Sequence, residues 1–147
     1  MAEARGYALG AVGRPAEALA ALDEALAEAP RREVSLETAG QVAAELGEWD
    51  AAAGYWTRLV DVNPWRPPYR TRLAAVLVKR RDWWRGLEEC RAALRLDPAS
   101  VPVRRLLITC LLAGGNKEQA RAEFDRLMAL NPPDREGLKE WFDRAAR

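Results

Sequence analysis

The sequence predicts an all-α solenoid of four helix–turn–helix repeats, each of about 34 residues, followed by a capping helix. Three observations predict this fold class. Prolines recur at a constant spacing, apolar residues recur inside each period at helical spacing, and glycine recurs between the two apolar stripes. A fixed period of about 20 to 50 residues is the signature of repeat architectures, in which each unit packs only on its neighbours. The equally spaced prolines are Pro30, Pro64, Pro98 and Pro132.

The second helix of each repeat is predicted from the residues that precede its proline. Twelve, eight, five and four positions before the proline stand a small, a large, a medium and a large apolar residue, which share one helical face. In the second repeat these residues are Ala52, Trp56, Leu59 and Val60. The position eight residues before the proline carries, along the four repeats, Leu22, Trp56, Cys90 and Phe124.

The first helix of each repeat is predicted from a second apolar stripe further upstream. In the second repeat this stripe includes Gly40 and Ala43. Between the two stripes, three of the four repeats carry glycine, the residue that most readily ends a helix in the left-handed conformation. The turn position holds Gly13, Gly47, Arg81 and Gly115.

In chain order, these stripes predict nine helices and no strand. The helices are predicted near residues 2–12, 16–29, 34–46, 50–62, 68–80, 84–96, 102–113, 117–130 and 134–146. Together they form a single domain over residues 1–147. The repeats within it are predicted at about 1–32, 33–66, 67–100 and 101–133.

The last helix is predicted to cap the solenoid. Asp134 follows the final proline pair and is a good N-cap residue. A terminal repeat exposes an apolar face, which a capping helix covers. An apolar stripe on an otherwise polar helix suits this role. Residues 134–146 are therefore predicted to pack on the fourth repeat through Leu138, Trp141, Phe142 and Ala145.

The repeated residues resemble those of the tetratricopeptide repeat (TPR) family, whose repeats have the same period. The resemblance covers residues 1 to about 132. It is clearest in the second repeat, through Gly40, Gly47, Trp49, Ala52, Trp56, Leu59 and Pro64. The third repeat departs most, with Arg81, Gly86 and Cys90. The resemblance implies a right-handed superhelix that serves as a protein–protein interaction module or scaffold.

In that family, the first helix of each repeat lines a concave groove that holds a peptide or a helix of a partner. The resemblance therefore implies groove residues on three successive first helices. They are Glu37, Gln41, Glu45, Thr71, Arg72, Lys79, Arg105 and Thr109. Some family members hold the C-terminal carboxylate of a chaperone peptide through lysine, asparagine and arginine. Only Arg72 fits that pattern here, which argues against this function.

No catalytic site is predicted. The sequence contains no histidine, which removes the commonest general base and the commonest zinc ligand. It contains no phosphate-binding glycine loop, so we expect no enzyme activity, no metal and no cofactor. No run of 18 apolar residues is present, so no membrane span is predicted. The 20 arginines against 3 lysines are typical of a GC-rich genome, and we expect a bacterial, cytoplasmic protein.

Charge is unevenly distributed, although the net charge is only +1. Residues 1–64 carry 11 acidic and 5 basic side chains, whereas residues 65–112 carry 4 and 11. Solvated helix faces explain most of this pattern. Because a basic stretch on successive repeats also attracts acidic partners, it further predicts a docking surface for an acidic protein segment. RNA binding through residues 65–112 is the alternative, since arginines among aromatics suit single strands. The acidic first half opposes a continuous phosphate track, so nucleic acid is the less favoured partner.

Three aromatic residues are further candidates for contact with a partner. Trp65 and Tyr69 lie in a proline-rich junction between the second and third repeats, where packing between repeats is the favoured role and contact with a partner is the alternative. Trp84 follows Trp83, which is expected to be buried. Because successive helical residues differ by about 100°, Trp84 is expected to be exposed, either as a contact residue or as crevice filler.

Repeat one is predicted without a cap before it. Its apolar residues, such as Leu9, would then be open to one side. We therefore expect the chain to be part of a longer protein, or to self-associate through this repeat. Cys90 and Cys110 stand at core positions of neighbouring helices and are expected to be buried and free.

Overall fold

The computed structural model describes residues 1–147 as nine α-helices with no β-strand. They are α1 (Ala2–Ala11), α2 (Pro15–Glu28), α3 (Glu33–Glu45), α4 (Trp49–Val62), α5 (Pro67–Lys79), α6 (Trp83–Leu96), α7 (Val101–Ala113), α8 (Lys117–Ala129) and α9 (Arg135–Ala145). Each end lies within one residue of its predicted position, which confirms the all-α helical solenoid. From α1 to α8, each helix packs against the next. None of these helices has the length and the apolar character needed to cross a membrane.

The turn inside each helix pair contains one residue in the left-handed backbone region. Gly13, Gly47 and Gly115 have φ angles of +74°, +74° and +78°. Arg81 adopts the same conformation with φ of +62°. A residue with a Cβ atom is disfavoured there by about 1–2 kcal/mol. All four repeats therefore have a left-handed residue at the predicted turn position. In the third repeat this conformation strains the backbone of Arg81.

The buried apolar residues form two clusters along the solenoid. The N-terminal cluster contains 18 residues from α2 to α5. Its largest side chains are Trp56 and Tyr69, whose ring centroids lie 6.4 Å apart. Gly40 makes room for the indole, because a Cβ atom at this position would lie 2.8 Å from Cε2 of Trp56. A small residue on the first helix thus faces a large one on the second.

The C-terminal cluster contains 12 residues from α5 to α9. Cys90 takes the position that Trp56 holds one repeat earlier, and it is fully buried. Gly86 lets α6 approach α7, because a Cβ atom there would lie 3.0 Å from Sγ of Cys110. Both cysteines are buried and free, as predicted. A hydrogen bond with Cys110 and burial raise the pKa of Cys90, so this thiol stays protonated at neutral pH.

Helix α9 packs on α8 through its apolar side chains. Asp134 caps the N-terminus of α9 by accepting a hydrogen bond at 3.1 Å from the backbone N–H three residues later. Leu138 and Phe142 are buried. The Phe142 ring stacks on Phe124 of α8, with ring centroids 4.3 Å apart. Helix α9 therefore covers the apolar face of the last helix pair.

One member of the predicted α9 stripe does not fit that prediction, because Ala145 is exposed. Trp141 is half-buried and packs against the C-terminal cluster, as predicted. Leu138 and Phe142, four residues apart, form the line that contacts α8. Trp141 lies about 100° from Phe142 around the helix, which turns its ring towards the edge of the contact.

The C-terminal half contains an ion pair that repeats with the helices. Nη1 of Arg70 donates to Glu89 at 2.9 Å, and Nη1 of Arg104 donates to Glu123 at 2.5 Å. Each arginine also donates to the carbonyl of the proline six residues before it. Only 11% of the Arg104 side chain and 14% of the Glu123 side chain are exposed. These pairs join the first helix of a repeat to the second helix.

Candidate functional site

The first helices of successive repeats enclose two adjoining cavities. One cavity of about 490 Å³ lies between α3 and α5. The other, of about 770 Å³, lies between α5, α7 and α9. Arg72 and Ala75 of α5 line both cavities, so the two form one continuous depression, which we name the groove. Because Ala75 is small, α5 forms only a low ridge between them.

Seven of the eight predicted groove residues line these cavities. Those of the first cavity are Gln41, Glu45, Arg72 and Lys79. Those of the second cavity are Thr71, Arg72, Arg105 and Thr109. Glu37 lines neither cavity and lies half-exposed on α3, one turn before Gln41. The helical spacing thus brings the seven residues together, and their part in binding stays a prediction.

Each groove residue is positioned by the helix that buries its neighbours. On α5, Leu73 and Leu77 point into the N-terminal cluster. Arg72, Ala75 and Lys79 lie on the other side of the same helix and line the groove. The groove is therefore lined by the side of the first helices that does not contribute residues to the core.

The three cations of the groove have no carboxylate partner. Arg72, Lys79 and Arg105 are exposed and take part in no ion pair. Five other arginines of the basic stretch do have carboxylate partners. They are Arg66, Arg70, Arg80, Arg85 and Arg104. Much of the basic stretch is therefore neutralised within the chain, and the groove keeps its positive charge.

Two carboxylates, Glu45 and Asp97, also line the groove. Neither takes part in an ion pair. Each cavity thus contains two cations and one carboxylate, with Arg72 common to both. The groove has a small excess of positive charge, and this charge is available to a ligand.

Trp141 is a groove residue that the sequence analysis did not predict. It lines the second cavity, and the guanidinium carbon of Arg105 lies 4.9 Å from the centroid of its ring. A cation–π contact at an exposed site contributes about 0.5–1 kcal/mol and here holds Arg105 beside the cavity. Its offset of about 100° from Phe142 is the sequence signal that could have placed Trp141 outside the core.

At the acidic end of the solenoid, Glu3 on α1 is bound within a network. The hydroxyl groups of Ser35 and Tyr7 each donate to Oε1 of Glu3 at 2.6 Å. Arg32 donates to the other carboxylate oxygen. The hydrogen bonds, that of Ser35 first, lower the pKa of Glu3 and keep it ionised. This carboxylate therefore joins α1 to α3, and its charge is already matched by Arg32.

The three aromatic contact candidates differ in exposure. Trp65 is 78% exposed and Trp84 is 71% exposed, as expected for surface residues. For Tyr69 the role of an exposed contact residue is wrong and the packing role is confirmed, because only 2% of the residue is accessible. Its ring packs beside Trp56 and its hydroxyl donates to Glu33 at 2.9 Å. Burial, followed by that hydrogen bond, raises the pKa of Tyr69. Tyr69 is therefore a core residue.

Comparison with known families agrees with this architecture. Two models described as tetratricopeptide repeat match the chain, one over residues 3–56 and 37–100 and the other over residues 77–139. The chain belongs to the tetratricopeptide repeat family. Proteins of this family are typically non-catalytic scaffolds, and membership supports a general role in protein–protein interaction.

Individual relatives support the same fold. The TPR repeat-containing thioredoxin TTL4 of Arabidopsis thaliana is 30% identical over 83 residues, which is 56% of this chain but only 12% of that protein. Among solved structures, MamA AMB-1 is 22% identical with a TM-score of 0.81, over 88% of this chain and 71% of that one. MamA from Desulfovibrio magneticus RS-1 is 19% identical with a TM-score of 0.77, over 91% and 76%. At these identities the structural likeness shows the fold alone.

Proposed function

We propose that this tetratricopeptide repeat protein is a scaffold module that binds an acidic segment of a partner protein in the groove. The observation that carries the proposal is the set of unpaired cations Arg72, Lys79 and Arg105. Charges of one sign in a concave site focus the local field and attract ligands of the opposite sign. Complementary charge then fixes which segment binds and in which register.

The groove also contains apolar surface for the same segment. Trp49 lines the first cavity and Trp141 lines the second, and both are half-buried. Tryptophan and arginine are the residues that most often dominate the binding energy of protein interfaces. A segment with carboxylates beside large apolar side chains would therefore match both cavities. Carboxylates without apolar neighbours would match only the cations.

The test uses peptides selected from a random display library on the parent protein. We expect the selected peptides to be enriched in aspartate and glutamate. Binding of one selected peptide is then measured by fluorescence anisotropy with the double variant Arg72→Glu/Arg105→Glu. Loss of two charged contacts and gain of two repulsive ones is expected to weaken binding at least about tenfold, or about 1.4 kcal/mol.

The matched control is Arg5→Glu/Arg31→Glu, which makes the same change in net charge at two exposed arginines that have no ion pair and line neither cavity of the groove. Equal weakening in both variants would show that net charge alone attracts the peptide. Unchanged binding in the groove variant would place the site elsewhere. If a short oligo(U) RNA binds with a steep salt dependence and no peptide is selected, the alternative of RNA binding is favoured.

A further inference from the structure

A second open surface lies between the second helices of the last two repeats. A cavity of about 580 Å³ and another of about 550 Å³ share the lining residues Arg91, Leu111 and Gln119, so they form one continuous cleft between α6 and α8. We name it the outer cleft. Helix α7 separates it from the groove, because α7 gives Arg105 to the groove and Leu111 to the outer cleft.

The outer cleft is open because a contact found in the first two repeats is missing here. Between α2 and α4, the hydroxyl of Tyr55 donates to Asp23 and ties the two helices together. The residues at the same positions two repeats later are Glu123 and Arg91. Glu123 accepts hydrogen bonds from Arg104 and Arg126 instead. Arg91 therefore has no partner, and no such bond closes the space between α6 and α8.

The outer cleft combines an apolar floor with cationic walls. Half-buried Leu94 lines the first cavity, and half-buried Leu87 lines the second beside Trp84, which is 71% exposed. Leu107 and Leu111 also line the first cavity but are buried members of the C-terminal cluster. Such an apolar surface gains by being covered with apolar side chains.

Three arginines in the walls of the outer cleft are free to bind a ligand. Arg81, Arg91 and Arg95 are exposed and take part in no ion pair. The two lining carboxylates, Asp82 and Glu123, are already paired with arginines. In addition, Nε of the lining residue Arg104 is buried without a hydrogen-bond partner. The cleft thus has unused donors and positive charge, and no free carboxylate.

We propose that the outer cleft is a second interaction surface, which takes an acidic amphipathic helix of a partner protein. Arg91 and Arg95 are one helical turn apart on α6, about 5–6 Å between their Cβ atoms. Carboxylates one turn apart on a partner helix have the same spacing, and leucines on its other face would cover the apolar floor. A nucleic acid would match the arginines but has no aliphatic side chains for the leucine floor. This inference does not depend on the function proposed for the groove.

The test is an NMR titration with a synthetic helical peptide that carries leucine on one face and glutamate on the other. Side-chain N–H signals report the two surfaces separately: Trp84 and Gln119 for the outer cleft, Gln41 and Trp141 for the groove. We expect saturable shifts of the Trp84 and Gln119 signals. The double variant Arg91→Glu/Arg95→Glu is expected to weaken the affinity derived from these two signals at least about tenfold.

A second variant, Ala122→Trp, fills the outer cleft without changing its charge, since Ala122 is an exposed lining residue on α8. It is expected to weaken the same affinity and to leave the groove signals as in the parent. The proposal is overturned if the cleft signals do not move, or if a peptide with lysine for glutamate moves them equally. It is also overturned if oligo(U) RNA moves them and the acidic peptide does not.

Discussion

The N-terminal and C-terminal clusters follow the same repeat register but fill it with different chemistry. In the second repeat, Leu36 and Tyr55 are buried apolar and aromatic residues of the N-terminal cluster. Two repeats later, the same positions hold Arg104 and Glu123, which form a nearly buried ion pair. The backbone of the repeat is the same in both places. The comparison teaches that the repeat accommodates two chemically different residue pairs at these positions.

The difference also locates the candidate binding surfaces. The second cavity of the groove and the whole outer cleft lie in the C-terminal half, beside the ion-paired helices. Near the N-terminus, the bond between Tyr55 and Asp23 joins neighbouring second helices. Replacing such contacts by charged residues leaves both open space and unpaired arginines. The half with the smaller apolar cluster thus contains the outer cleft and the larger cavity of the groove, while the first cavity of the groove lies beside the N-terminal cluster.

The largest expected effect concerns the repeat position at which the buried side chains of the two clusters differ most in size. This position holds Trp56 in the N-terminal cluster and Cys90 in the C-terminal cluster. Trp56→Ala removes an indole that is 1% exposed, and truncation of a buried tryptophan costs about 3–5 kcal/mol. Cys90→Ala at the matching position in the next repeat removes one sulfur atom, so we expect a cost of about 1 kcal/mol. The free energies of unfolding from urea denaturation check both values. Equal costs would mean that the C-terminal cluster depends on its small residue as much as the N-terminal one depends on tryptophan.

A second prediction tests the two kinds of contact directly. Glu123→Ala leaves the guanidinium of Arg104 nearly buried without its carboxylate, and we expect a loss of about 3 kcal/mol in unfolding free energy. The double variant Arg104→Leu/Glu123→Tyr restores the pair that the second repeat carries at these positions. Because replacing a buried ion pair by apolar residues is often neutral or stabilising, this variant is expected to be at least as stable as the parent.

The control for Glu123→Ala is Glu136→Ala, which removes the carboxylate of an exposed pair with Lys139. Surface pairs of this kind contribute about 0–1 kcal/mol, so little change is expected. If the double variant is as unstable as Glu123→Ala, the ion pair has a role that an apolar contact cannot take over. The double variant also places a tyrosine opposite Arg91, so it is expected to weaken peptide binding in the outer cleft.

The fold could be predicted from the sequence because the period constrains it many times over. The helix boundaries are marked by the same proline and the same apolar spacing in every repeat, and by glycine at three of the four turns. An error in one repeat would therefore conflict with the others. The groove residues were predicted from the resemblance to the tetratricopeptide repeat family, and on α5 they lie on the side of the helix away from Leu73 and Leu77. Glu37 alone among the predicted groove residues lines no cavity.

Side-chain pairing could not be predicted in the same way. Arg72 is free while Arg70 is paired, and the partner of Arg70 is Glu89 on the following helix. Whether such a pair forms depends on how far a side chain extends towards the neighbouring helix. The spacing of residues in the sequence does not give this information. Tyr69 is a different case: the spacing from Tyr69 to Leu73 and Leu77 is four residues each time, which would have indicated a shared buried face. The proline-rich junction left the roles of packing and of partner contact both open for Tyr69.

The smallest predicted effect concerns the turn of the third repeat, the one turn of the four without glycine. Arg81→Gly relieves the left-handed strain at φ of +62° but adds backbone freedom to the unfolded chain. The net gain in unfolding free energy is expected to be about 0.5–1 kcal/mol. The reverse change at the matching turn, Gly47→Arg, is expected to cost about 1 kcal/mol or more, since Gly47 has φ of +74°. Thermal melts of the two variants check both signs. A loss of stability in Arg81→Gly would contradict this prediction. It would mean that the side chain of Arg81 makes a stabilising contact that outweighs the backbone strain.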